Sequence, residues 1–192
     1  MLDTLKFKKE RSIYIDGTID QTTATTVIKT INEQRAEAEE ALGSYEYQFH
    51  KKVDLPPMKL YMNSYGGEVL SALGIYDYIR AWEGDKSMIT SVGIGMVASA
   101  ALFPFLASNE RYCYPHTRFL IHSVSGGVWG AAKDIDDYSR ETKVLIGYIN
   151  EIILSRTNIT KEYLDEISNS KIDKWIGAKD AVELGICHDI IR

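Results

Sequence analysis

The chain has 192 residues, a formal net charge of −5, 45% hydrophobic and 26% charged residues, and two cysteines. That mix excludes disorder, collagen and low-complexity scaffolds, and the length suits a single domain, 1–192, that buries about 70% of its unfolded surface. The acidic balance excludes a dominant nucleic-acid function; Cys113 and Cys187, far apart in sequence, exclude a disulfide framework and point to a reducing, cytoplasmic setting.

The first eleven residues lack the apolar stretch of a secretory signal. Ser12 to Gly17 predicts a short strand and turn. Thr22 to Leu42 predicts a helix, with Val27, Ile28 and Ile31 on its apolar side and a charged, solvated half from Glu33 to Glu40. Gly43 to Pro57 reads as irregular. Its alternating Tyr45, Tyr47 and Phe49 fit an edge strand or a partner surface, and a tolerated surface insertion is the plainer reading. Lys59 to Asn63 predicts a strand and Ser64-Tyr65-Gly66-Gly67 a turn. Glu68 to Trp82 predicts a helix carrying Val69, Leu70, Leu73, Ile75, Tyr76 and Ile79. Ser87 to Asn109 is 23 residues without a formal charge, long enough to span a bilayer. Its central glycines instead predict a buried strand to Val92, a tight turn and a buried helix from Ala98 to Ala107, so no membrane span is expected.

Two strands follow, at Arg111–Tyr114 and Arg118–His122. A long helix, Ala131 to Ser155, places Ile135, Tyr138, Thr142, Leu145, Ile149 and Ile152 inward, at a spacing suited to packing another helix. Thr160 caps a short helix that buries Tyr163, Leu164 and Ile167. A last helix, Ala178 to Leu184, stops at Gly185. Strands alternating with helices make the fold α/β.

Four segments bear chemistry. In Gly93-Ile94-Gly95-Met96-Val97-Ala98-Ser99-Ala100-Ala101 a serine sits where a strand turns into a helix, beside amides suited to a developing oxyanion. On that motif alone, a helix-capping or packing serine is the commoner explanation. In Asn63-Ser64-Tyr65-Gly66-Gly67, paired glycines allow close backbone approach to a ligand, or simply an ordinary turn; the lysine and hydroxyl of a phosphate loop are missing. His122 closes an apolar strand, as a buried satisfied histidine or as a general base. Asp173, taken alone, reads as surface charge or a cap. No His/Cys/carboxylate group has metal-ligand spacing, so neither metal nor cofactor is expected.

In this order, from about Leu5 to Ile191, the segments resemble the Clp protease proteolytic subunit family, ClpP. Asn63 to Gly67 is similar to its Asn-Ser-Pro-Gly-Gly turn, and Gly95 to Ala101 to its Gly-x-Ala-Ala-Ser-Met-Gly segment. Ile121-His122 with Gly126-Gly127 is similar to its Met-Ile-His-Gln-Pro-x-Gly-Gly segment. Asp173-Lys174-Trp175 with Ala178, Ala181, Glu183, Leu184 and Gly185 is similar to its ending. The resemblance implies the ClpP/crotonase-type spiral of β-β-α units with a protruding long helix, a handle at about 131–155, and a longer connection at 33–57. It implies a serine endopeptidase with Ser99 as nucleophile, His122 as base and Asp173 as orienting carboxylate. Backbone amides of Gly67 and Ala100 form the oxyanion hole, and Ser125, Gly126 and Gly127 form a strand that pairs with substrate.

The same resemblance implies a homo-oligomer of stacked heptameric rings enclosing a chamber. Unfolded polypeptides reach it through an AAA+ unfoldase that alone uses ATP. Tyr65, Val97, Ala100, Ser123-Val124 and Ile172 depart from the family pattern. Ile172 stands where many members carry an arginine linking the rings, and the N-terminal gating segment is expected to be absent or very short. Two other functions compete. One is a non-catalytic ring subunit, which usually lacks a triad member. The other is a crotonase-type acyl-CoA enzyme, which needs a carboxylate beside the oxyanion amides instead of the triad.

Overall fold

The structure, a computed structural model, describes residues 11–49, 57–83, 88–123, 129, 131–170 and 172–192. The expectations for an N-terminal gating segment and for the strand Ser125-Gly126-Gly127 lie outside the described residues.

Seven strands form one sheet: β1 (Ser12–Ile19), β2 (Met58–Gly67), β3 (Ile89–Ala98), β4 (Glu110–Cys113), β5 (Arg118–Ile121), β6 (Lys174–Gly177) and β7 (Asp189–Ile190). The order β1-β2-β3-β4-β7 is parallel throughout, while β5 lies parallel to β3 and antiparallel to β6. The first half of β3 pairs with β4 and the second half with β5, so β3 is the hub from which the sheet divides. The helices are α1 (Gln21–Phe49), α2 (Val69–Glu83), α3 (Leu102–Ala107), α4 (Ala132–Arg156), α5 (Lys161–Ser170) and α6 (Ala178–Glu183). Alternation in β1 buries Ile13, Ile15 and Ile19, and in β2 Met58, Leu60 and Met62, against α1, α2 and α3. Phe105 packs tilted on Phe119, ring centres 5.4 Å apart, and joins α3 to β5.

Four expectations need correction. The helix expected to end at Leu42 runs on to Phe49, so 43–49 is neither irregular nor an edge strand. Ala36, Ala38 and Ala41 are strong helix formers, Arg35 pairs with Glu39 at 2.6 Å, and Arg35 also stacks 3.7 Å from the Trp82 ring of α2. One glycine, Gly43, opposes this by only about 1 kcal/mol. Second, Ser64 to Gly67 is not a turn but the end of β2, paired with β1 at Thr18↔Gly66 and Ile19↔Gly67. Likewise Gly93 to Ala98 continues β3 rather than forming a tight turn, and the helix begins only after it. Third, Ile135 and Tyr138 on α4 are 46% and 42% exposed, not inward; the buried residues of that helix are Ile149, Ile152 and Ile153. The N-terminal half of α4 therefore presents its apolar residues away from the core. Fourth, Lys174–Gly177 is a strand where none was expected.

Among the described residues, no helix is long and apolar enough to cross a membrane. Cys113 and Cys187 are both buried and their thiols share a hydrogen bond, which holds Cys187 far above the ordinary thiol range.

The C-terminal segment is tied to the sheet by Arg111, 4% exposed. Its guanidinium donates to the carbonyls of Ile186, Ser108, Arg156 and Gly185, and burial pushes its pKa down to about 10. Beside it, the His188 Nδ1 accepts the Arg111 amide at 3.1 Å. Desolvation, then the Arg111 and Arg156 charges, hold His188 below the ordinary 6.5, with Glu110 at 3.9 Å opposing them. The unfolded chain therefore takes up this proton at higher pH than the folded one, and stability is lost as pH falls through that window. The thermal midpoint is expected to fall between about pH 7.5 and about pH 5.5, and to fall less in His188→Gln, which keeps an acceptor without a titrating group. Equal falls in the two proteins would remove His188 from this account.

Candidate active site

Two irregular strand ends meet at the site. Relative to β1, β2 carries one extra residue between Asn63 and Gly66; relative to β2, β3 carries two extra between Gly93 and Val97. These bulges turn both strand ends without breaking the sheet. Gly95, at φ +63°, takes the bend in β3. The Asn63 side chain clips it: its Oδ1 accepts the Met96 amide at 3.3 Å, and its Nδ2 donates to the Asp16 carboxylate at 2.9 Å. The sequence reading takes Asn63 as the first residue of the Asn63–Gly67 segment but gives its side chain no role of its own.

Ser99 follows directly, at φ +56°, the one described non-glycine residue with positive φ. A left-handed backbone costs a serine roughly 1–2 kcal/mol. The chain then winds through a tight 3-10 turn, Ser99–Ala101, into α3. The Ser99 Oγ lies 2.6 Å from the His122 Nε2. His122 stands one residue beyond β5 and is half-buried. The position of β5 is set by Met96↔Arg118 through Ala98↔Leu120 pairing with β3, so one ladder fixes both partners of this hydrogen bond.

Gly66 presses against this turn. A Cβ on Gly66 would lie 2.7 Å from the Ala98 carbonyl oxygen, 2.8 Å from the Ser99 Cβ and 2.9 Å from the Ala100 nitrogen. Gly66 also has φ +97°. Gly67, Ser99, Ala100 and His122 line one pocket of about 110 Å³, whose wall is Val69, Leu102, Phe103, Leu120, Ile121, Ile149 and Ile153. Four of the residues singled out in the sequence thus share one cavity.

Asp173 does not join it directly. It is exposed and has no hydrogen-bond partner among the described residues. Its place is nonetheless informative. The antiparallel pair β5/β6 ends where Ile121 faces Lys174; His122 is the next residue after β5 and Asp173 the residue just before β6. Ser125, Gly126 and Gly127 lie outside the described residues. Among the described residues, no three His, Cys, Asp or Glu side chains gather as a metal-holding group.

The glycines generate a contrast. Gly66→Ala puts a methyl into backbone that cannot yield, whereas Gly43, inside α1, has nothing within 4 Å of an added Cβ. Gly66→Ala is expected to destabilise the fold by at least about 2 kcal/mol, and Gly43→Ala to stabilise it by about 0.5–1 kcal/mol. Denaturant unfolding of both variants measures this; a neutral Gly66→Ala would show that the Ser99 turn is not held by that contact.

A protein-family model described as Clp protease matches residues 49–192. The ATP-dependent Clp protease proteolytic subunit 3 of Rhizobium johnstonii is 31% identical over 185 residues, covering 95% of this chain and 84% of that protein. The ATP-dependent Clp protease proteolytic subunit 2 of Pseudomonas aeruginosa is 30% identical over 185 residues, covering 95% and 82%. The ATP-dependent Clp protease proteolytic subunit of Carsonella ruddii is 28% identical over 188 residues, covering 97% and 86%. With the α/β fold, its parallel sheet and its long helix, these matches make the chain a member of the Clp protease family.

Proposed function

We propose that the chain is a serine endopeptidase that cleaves unfolded polypeptides and short peptides, with Ser99 as nucleophile and His122 as general base. The observation that carries this reading is the 2.6 Å contact between Ser99 Oγ and His122 Nε2 at the mouth of an apolar pocket. Neutral His122 takes the Ser99 proton as Oγ attacks the peptide carbonyl, then returns it to the leaving amine; water releases the acyl-enzyme by the reverse route. The amides of Gly67 and Ala100 receive the oxyanion, and the apolar wall takes one side chain of the substrate. Asp173, just before β6, orients the imidazole of His122, just after β5, when its carboxylate turns toward Nδ1; such contacts often tighten only with substrate bound.

Two observations weigh against the competing functions. No carboxylate lines the pocket among the described residues, which a crotonase-type acyl-CoA reaction would need beside the oxyanion amides. A non-catalytic ring subunit has no use for a serine held at φ +56° against a histidine. Ser99→Ala and His122→Ala are expected to abolish hydrolysis of a fluorogenic peptide with the fold intact, and Asp173→Asn to slow it by a factor on the order of 10⁴. A serine-directed fluorophosphonate is expected to label wild type and not Ser99→Ala. Peptide cleavage by Ser99→Ala at the wild-type rate would refute the assignment.

In this reading the subunit works inside an assembly of stacked heptameric rings, and an AAA+ unfoldase spends the ATP. The exposed apolar residues of α4, Ile135 and Tyr138, support a role in self-association; Ile149, buried against the core, does not. Exposed, they are replaceable without loss of core packing. Ile135→Glu with Tyr138→Glu is expected to reduce the sedimenting size while leaving the thermal midpoint of the subunit nearly unchanged. An unchanged size would assign the seam no part in assembly.

A further inference from the structure

The alternation Met58, Leu60, Met62 in β2 sets every second residue into the core, and the next in that series is a serine. Ser64 is 1% exposed. A hydroxyl on the apolar face of a strand needs partners, and it has two. The Ser64 Oγ donates to the Gly17 carbonyl of β1 and accepts the Gly66 amide at 3.0 Å.

Those partners locate its task. The extra residue of β2 lies between Asn63 and Gly66, and opposite it the β1 register jumps from Asp16 to Thr18. In an unbroken parallel ladder the amide two residues before Glu68 would reach the carbonyl two residues before Ile19. The Glu68 amide does reach the Ile19 carbonyl, at 2.8 Å. The equivalent rung is that of the Gly66 amide and the Gly17 carbonyl, and the Ser64 hydroxyl bridges these two groups. The amides of Gly66 and Glu68 thus both point toward β1. By strand alternation the Gly67 amide between them points the opposite way, toward the Ser99 turn.

We infer that Ser64 is a positioning residue for the oxyanion hole: its side chain bridges the Gly66 amide and the Gly17 carbonyl, fixes the peptide planes around Gly66 and so aims the Gly67 amide. This inference rests on the peptidase reading of the site. It accounts for a polar side chain in a row of apolar ones, and it extends the machinery to a group that touches no substrate. Tyr65 adds an outer brace, its hydroxyl sharing a hydrogen bond with the Thr18 Oγ1 on the neighbouring rung.

The test is kinetic, on the full chain. Ser64→Ala removes both hydrogen bonds. The expected result is a kcat roughly ten- to a hundredfold lower on a fluorogenic peptide, with KM unchanged. Affinity for a peptide boronic acid, whose boron-bound oxygen occupies the oxyanion position, is expected to fall by a similar factor, while affinity for the corresponding product peptide is retained. Ser64→Cys, with similar shape and a weaker hydrogen-bonding group, is expected to fall between the two; if Ser64→Ala does not fold, the same comparison is made with Ser64→Cys. A wild-type kcat in the folded variant, or equal losses for boronate and product peptide, overturns the inference. A wild-type chain that neither hydrolyses peptide nor takes the fluorophosphonate label overturns the peptidase reading, and with it this inference, so the two failures are told apart.

Discussion

Between Gly66 and the Ala98–Ala100 backbone there is no room for a single methyl group. That contact brings the ends of β2 and β3 together, and nearly everything of interest lies within a few residues of it. On one side are the amides of Gly66 and Gly67; on the other are Ser99 and the start of α3. The two bulges that shape these ends would ordinarily loosen a sheet. Here each is closed by a polar side chain: Ser64 across β1/β2 and Asn63 across β2/β3. The glycines supply backbone angles and clearance, and the two side chains bond to backbone groups beside the bulges.

His122 reaches the same place by a different route. It rides on β5, which joins the sheet only through the second half of β3 and through β6. Because β3 pairs with β4 upstream and with β5 downstream, the strand that carries Ser99 also sets the strand that carries His122. The far edge of the sheet is secured separately. Arg111 satisfies four carbonyls from three segments, and Arg156 donates to Leu106 and Ser108, so the loop after α3 and the chain leaving α6 are joined by guanidinium groups rather than by packing alone. Carbonyl dipoles surround the Arg111 guanidinium, and its burial depresses its pKa.

Much of this was legible in the sequence. Strands were expected within β1, β2 and β5, and the order of four short motifs brought Ser99 and His122 forward although no motif alone decided for chemistry. What escaped has physical causes. Glycine pairs read as turns because positive φ usually ends a strand, yet at Gly66 and Gly67 the ladder to β1 persists through them. The helix past Gly43 escaped because one unfavourable residue was weighed against none of the favourable contacts with α2. Lys174–Gly177 is too short for a strand signal, and only its pairing with β5 reveals it. The seam of α4 shows the reverse limit: spacing announces that Ile135 and Tyr138 share a face with Ile149, but not which part of that face the core covers. For Ser64, the anomaly was present in the alternation of β2 and needed only the register to explain it.

The left-handed backbone at Ser99 has an evolutionary consequence. Glycine adopts that conformation without strain, and asparagine at less strain than serine, so the fold on its own would gain from either exchange. A descendant with no use for the hydroxyl would drift toward the relaxed residue, because every other pressure at that position runs the same way. Under the peptidase reading, a serine retained there is function held against the stability of the fold.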